Sequence, residues 1–254
     1  QIPTWLRRQR QMCIRDRLKA AIAFKNGGLG TPIIVAKENV VKQRLKEIGY
    51  GENLDIKIVN STDKKLREKY LKFLFKKMQR DQGLLERDCD RMIRNDRVIW
   101  SSCMVECGDA DAMVTGNTRR YSQSLEKIKK VIPPRKGEIM FGLNMMVSKG
   151  KTVFIGDTNI IERPKPEELA DIAEQMAFSV SQLGYKPRVA FTSFANFGSP
   201  SLPSTSSARE AVRVLENRSV NFEFDGEMSV EIALNFQLMK KNYPFCKLTD
   251  EANI

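Results

Sequence analysis

The 254-residue sequence contains no histidine. That absence removes imidazole acid–base catalysis, Ser-His-Asp triads and most transition-metal sites. Any chemistry here rests on carboxylates, hydroxyls, arginine and lysine. Cysteine is scarce too: five in a chain this long do not make a disulfide framework. Cys103 and Cys107 sit in a helical stretch with no histidine to complete a zinc site, so no metal is expected. Reduced thiols in a cytoplasmic setting follow. No apolar run approaches the roughly 20 residues that span a bilayer, so no membrane partner is expected. Aromatic platforms and a helix-turn-helix are also missing, which argues against nucleic acid in spite of the charge.

What is present is positive charge, a formal +12. Part of it lies in RRQRQMCIRDR (7–17), which has neither a helical nor a strand period. One codon choice that encodes RRQRQMCIRD spells a string resembling the transposase end-tag used to prepare DNA for sequencing. Residues 1–17 are therefore read as a non-native scar or disordered stretch and kept out of fold reasoning. The net charge then falls to +8. The remaining excess is spread over helical faces, as on a solvated surface or beside a polyanionic ligand.

Beyond that stretch, strands and helices alternate. TPIIVA (31–36) is a bare apolar run, as in a strand covered on both faces. ENVVKQRLKEI follows as a helix with Val41, Leu45 and Ile48 on one face, stopped by Gly49. LDIKIVN (54–60) reads as a strand. Ser61 or Thr62 is expected to cap the next helix, and Asp96 a later one. DAMVT (111–115) reads as a third strand. VIPPRKGE (131–138) is the best linker candidate, giving a first domain over 18–134 and a second over 135–254. In the second, NMMVSKGKTVFI reads as a hairpin. Helices are expected at 167–183, 206–216 and 228–240, and strands at 188–193 and 221–225. The repeated βαβ pattern indicates an α/β fold.

In such sheets ligands bind beyond the carboxyl ends of strands. Those ends are TGNTRRY (115–121), GDTN (156–159), TSFANFGSPS (192–201) and FDGEMS (224–229). Glycine lets backbone approach a ligand, and hydroxyls before a helix favour an anion. Arg119, Arg120 and Arg209 could add fixed charge for phosphate. DGE is read as a strand-end turn. The candidate ligand-binding residues are Thr115, Gly116, Arg120, Asp157, Ser193, Gly198, Ser199, Asp225 and Glu227.

GDADAMVTG, the Asp157 strand end with its PEELADIA helix, SFANFGS and DGEMSVEIAL resemble the phosphate acetyl/butyryltransferase family, in its order and at its spacing. PFCKLTDEANI and the SFANFGS variant are most similar to one branch, the C-terminal phosphotransacetylase-like domain of the large NADP-dependent malic enzymes. The resemblance implies two α/β/α sandwich domains of the isocitrate/isopropylmalate dehydrogenase type with coenzyme A in the cleft between them. It implies acetyl-CoA or CoA and phosphate as ligands, a homo-oligomer, and a malic-enzyme domain upstream in cis. In active members the CoA thiolate attacks acetyl phosphate, with arginine and serine stabilising the transition state. Their catalytic Ser-Arg pair and Asp are expected beyond Ile254, and the first strand before Leu18, so both ends are expected to be truncated. Where active members carry arginine after the TG loop, this chain has Glu126. The malic-enzyme branch implies a regulatory, oligomerising acetyl-CoA sensor; the alternative is an active phosphate acetyl/butyryltransferase.

Overall fold

A computed structural model describes residues 4–50, 56–116, 119–201 and 205–254, with side chains from Arg15 onward. The chain divides into two compact units, Gln1–Pro133 and Pro134–Ile254.

The first unit opens with helix α1, Thr4–Asn26. Residues 4–17, set aside in the sequence as lying outside any regular element, continue this helix without a break. Its second half has an apolar i, i+4 pair, Leu18 and Ile22, which is buried against Val41, Leu45 and Ile56. Strand β1 (Ile33–Val35), helix α2 (Glu38–Glu47) and strand β2 (Lys57–Val59) form a parallel βαβ unit. Ile33 and Val35 face one core cluster while Ile34 faces the other, so both faces of β1 are covered as the bare apolar run requires.

Helix α3 (Lys64–Gln82) is capped by Asp63, whose carboxylate accepts the Leu66 N–H at 3.0 Å, and not by Ser61 or Thr62. Helix α4 (Glu86–Asn95) has no counterpart in the sequence reading, because its apolar face is only Cys89, Met92 and Ile93 between charges. Asp96 caps helix α5 (Arg97–Glu106) through the Val98 N–H, as expected. Around α5 the core holds Trp100, edge-on to Tyr70 at 5.0 Å, with both rings fully buried. Burial of each such ring contributes roughly 2–3 kcal/mol. DAMVT is not a strand: it has no ladder partner among the described residues, and Val114 is fully exposed. Helix α6 (Tyr121–Val131) closes the unit.

The second unit starts with the antiparallel hairpin β3 (Asn144–Ser148) and β4 (Lys151–Ile155). Its two-residue loop has positive φ at both Lys149 (49°) and Gly150 (78°), the turn that matches strand twist. Helix α7 (Pro166–Gln182) begins at proline, where the missing N–H costs nothing. Strand β5 (Arg188–Thr192), helix α8 (Ser206–Arg218) and strand β6 (Glu223–Met228) follow, with β5 and β6 parallel. Val189 and Phe191 pack with α7 and α8, whereas Ala190 packs on the opposite side with Met228, Ile232 and Met239. Helices therefore cover both faces of this pair. The helix expected at 228–240 is two, α9 (Val230–Ala233) and α10 (Phe236–Asn242), because Asn235 starts afresh by capping the Leu238 N–H. Backbone of Asn253 and Ile254 pairs with Phe154 and Ala190, filling the gap between β4 and β5.

Candidate functional site

The candidate residues fall into three settings. The first is the loop after β5. Ser193 leaves the strand, and its hydroxyl receives the Ala195 N–H and lies 3.5 Å from the Glu227 carboxylate. Gly198 donates its N–H to Glu227 Oε1 at 3.0 Å, and Phe197 donates to the Glu227 carbonyl at 2.7 Å. Asn196 accepts the Ser229 N–H. Ser193 and Gly198 are half-buried and Ser199 is exposed. The loop is therefore held on β6 by backbone bonds, by the Asn196 side chain and by the carboxylate of Glu227, which is fully buried.

How Glu227 comes to face this loop was not visible in the sequence. DGE lies inside β6 and not at a turn. The ladder runs Phe191 to Gly226 and then Thr192 to Met228, so Glu227 is the extra residue of a bulge. A bulged residue is re-aimed out of the alternation. Gly198, at φ 91°, meets the other side of the loop: a Cβ there would lie 2.9 Å from an Arg209 guanidinium nitrogen.

The second setting is interior. Asp225 is buried, takes the Gly226 N–H on one oxygen and the Lys247 N–H at 2.7 Å on the other. Burial, together with this carboxylate, pushes the neighbouring Cys246 thiol up to about 11. Asp225 thus fastens β6 to the segment before the last residues. Asp157, after β4, is likewise taken up by backbone, accepting from Gly142, Asn159, Ile160 and Ile161. Burial alone would raise its pKa, but those four amides outweigh it and hold the carboxyl below the usual range. No hydrogen bond among the described residues joins Asp157 to the Ser193–Glu227 group.

The third setting is the loop before α6, in the first unit. Thr115, Gly116 and Arg120 are exposed, and the Gly116 carbonyl accepts from Arg17. Residues 117 and 118 lie outside the described residues. Arg119, read as a phosphate contact, is bound instead by both oxygens of Asp96 at 2.8 and 2.7 Å, and Lys127 bonds the same carboxylate. Among the described residues no cluster of three or more His, Cys, Asp or Glu could hold a metal ion, and no helix is long and apolar enough to cross a membrane.

Residues 15–254 match the phosphate acetyl/butaryl transferase family. The chain belongs to that family. Relatives include the NADP-dependent malic enzyme of Rhizobium meliloti, 41% identical over 93% of this chain and 31% of its own length. A phosphate acetyltransferase of Treponema pallidum is 28% identical over 96% of this chain and 75% of its own. The chain spans about a third of the malic enzymes it matches. Among solved structures, a phosphotransacetylase from Streptococcus pyogenes superposes with a TM-score of 0.80 at 24% identity, covering 93% of this chain and 71% of that one. The EutD phosphotransacetylase from Staphylococcus aureus gives 0.77 at 21%, over 94% and 74%. Both show the mixed α/β fold of the transferase family.

Proposed function

We propose that the chain is the phosphotransacetylase-like domain of an NADP-dependent malic enzyme, binding acetyl-CoA as a regulatory and oligomerising module without transacetylase turnover of its own. The observation that carries the malic-enzyme assignment is identity: 41% and 40% to two malic enzymes across nearly the whole chain, where further malic enzymes lie at 27% to 32% and phosphate acetyltransferases at 25% and 28%. Glu126 supports it. This carboxylate is exposed on α6, where the family resemblance calls for arginine beside a phosphate.

The architecture that goes with this function is a pair of isocitrate/isopropylmalate dehydrogenase-type sandwiches. Ser193, Gly198 and Ser199 are the assigned ligand contacts of the second unit, and Thr115, Gly116 and Arg120 those of the first. Asp157, Asp225 and Glu227 act behind them by fixing loops. A malic-enzyme domain in cis and further copies of the chain are the partners.

Calorimetric titration with acetyl-CoA, run beside an assay for acetyl phosphate from acetyl-CoA and phosphate, tests this. Saturable binding with no acetyl phosphate is the expected result. Turnover would instead make the protein an active phosphate acetyl/butyryltransferase, and absence of binding would remove the ligand altogether.

A further inference from the structure

Four arginines with described side chains are half-buried: Arg44, Arg67, Arg188 and Arg209. Three have partners. Arg44 pairs with Glu47, Arg67 with Asp90, and Arg188 with Asp250 and the Glu251 carbonyl. Arg209 has no hydrogen bond or ion pair among the described residues. A guanidinium withdrawn from water without a counter-charge is a cost that a fold ordinarily compensates.

Its position narrows what the missing partner is. Arg209 projects from the start of α8 to the Gly198 backbone, close enough that a Cβ on residue 198 would sit 2.9 Å from its terminal nitrogen. Gly198 is not free to drift away, since its N–H is held at 3.0 Å by the buried Glu227 carboxylate. That carboxylate is turned to the amide and the Ser193 hydroxyl, with no ion pair to Arg209. The result is an unneutralised fork of N–H donors against the Gly198 backbone, in the loop that also carries Ser193 and Ser199. Such a fork matches the paired oxygens of a phosphoryl group.

We infer that Arg209 is the phosphoryl-contacting residue of this site, its guanidinium lying against the bare Gly198 backbone. The inference rests on the acyl-CoA-binding function proposed above and deepens it. The phosphoryl group belongs either to the phosphates of CoA or to an acyl phosphate; both present the same oxygens.

The test compares wild type, Arg209→Gln, Arg209→Lys and Gly198→Ala by calorimetry with CoA, with acetyl phosphate and with pantetheine, which carries no phosphate. Arg209→Gln is expected to weaken one phosphorylated probe roughly ten- to a hundredfold while leaving pantetheine unchanged. Loss confined to CoA identifies its phosphates as the source; loss confined to acetyl phosphate identifies the acyl phosphate. Arg209→Lys should fall between, because charge without the fork recovers only part. Gly198→Ala, strained at φ 91° and with its Cβ against the guanidinium, should also weaken binding with the charge intact. Circular dichroism confirms that each variant is folded. If wild type binds CoA or acetyl phosphate and Arg209→Gln binds them equally well, this inference is overturned and the proposed function stands. If wild type binds neither phosphorylated probe, both fall.

Discussion

In the first unit, Asp90, Asp96 and Asp109 face side-chain donors. Asp90 holds Arg67 and Arg94, Asp96 holds Arg119 and Lys127, and Asp109 holds Lys69 and the Tyr70 hydroxyl. In the second unit, Asp157, Asp225 and Glu227 face backbone amides, from four residues, two residues and one. These three carboxylates of the first unit thus chiefly neutralise basic side chains, and these three of the second fix loops. Asp96 also caps α5, and the second unit has ion pairs of its own, such as Glu223 with Lys186. Partly exposed ion pairs are screened by salt, whereas buried carboxylate–amide bonds are not. The second unit is therefore the one in which a buried carboxylate, Glu227, helps to shape the Ser193 loop.

The largest test of that contrast is Glu227→Ala. It leaves the Gly198 N–H without its acceptor in a closed interior and is expected to cost about 3 kcal/mol. Glu227→Gln, which keeps an acceptor oxygen, should recover much of the loss. Urea unfolding of both variants measures it, and equal midpoints for Ala and wild type would show that the loop stands without the carboxylate.

Acid comes next. Burial pushes Glu223 up, but the Lys186 ammonium and the Thr249 N–H and hydroxyl outweigh it and hold the carboxyl at about 2, against an ordinary 4.5. The unfolded chain therefore takes up the proton first. The stabilisation is complete above about pH 4.5 and is lost as pH falls towards 2. The full shift corresponds to about 3 kcal/mol; with the Lys186 ammonium largely exposed and screened, roughly 2 kcal/mol should disappear over that window, and Glu223→Gln should flatten the profile. An unchanged profile in the variant would assign acid sensitivity elsewhere.

Smaller still is Asp96→Asn, expected to cost about 1 kcal/mol at low salt and less at 1 M salt, since Arg119 and Lys127 are each about a third exposed. A cost that does not shrink with salt would erase the contrast between the units. Arg135→Ala, breaking a 3.8 Å pair whose arginine is 85% exposed, serves as the control with no resolvable change.

Local chemistry was legible where it acts within a few residues. The Lys149–Gly150 turn, the Asp96 cap and Pro166 at a helix start all depend on short-range geometry. Helix α4 escaped because its apolar face is narrow and carried by a cysteine, and DAMVT misled because apolar residues alone do not supply a pairing partner. At the site, the Ser193 loop was visible from its composition. The role of Glu227 was not, because a bulge changes which way a residue faces and leaves no mark in alternation.

The sequence by itself determined the family, the α/β alternation and a chemistry without histidine. It also showed three arginines that could meet a phosphate. Only the tertiary structure separated them: Asp96, 23 residues from Arg119, neutralises that one, while no carboxylate among the described residues pairs with Arg209. Charge is a property of a residue, but availability depends on which distant residues the fold brings within reach.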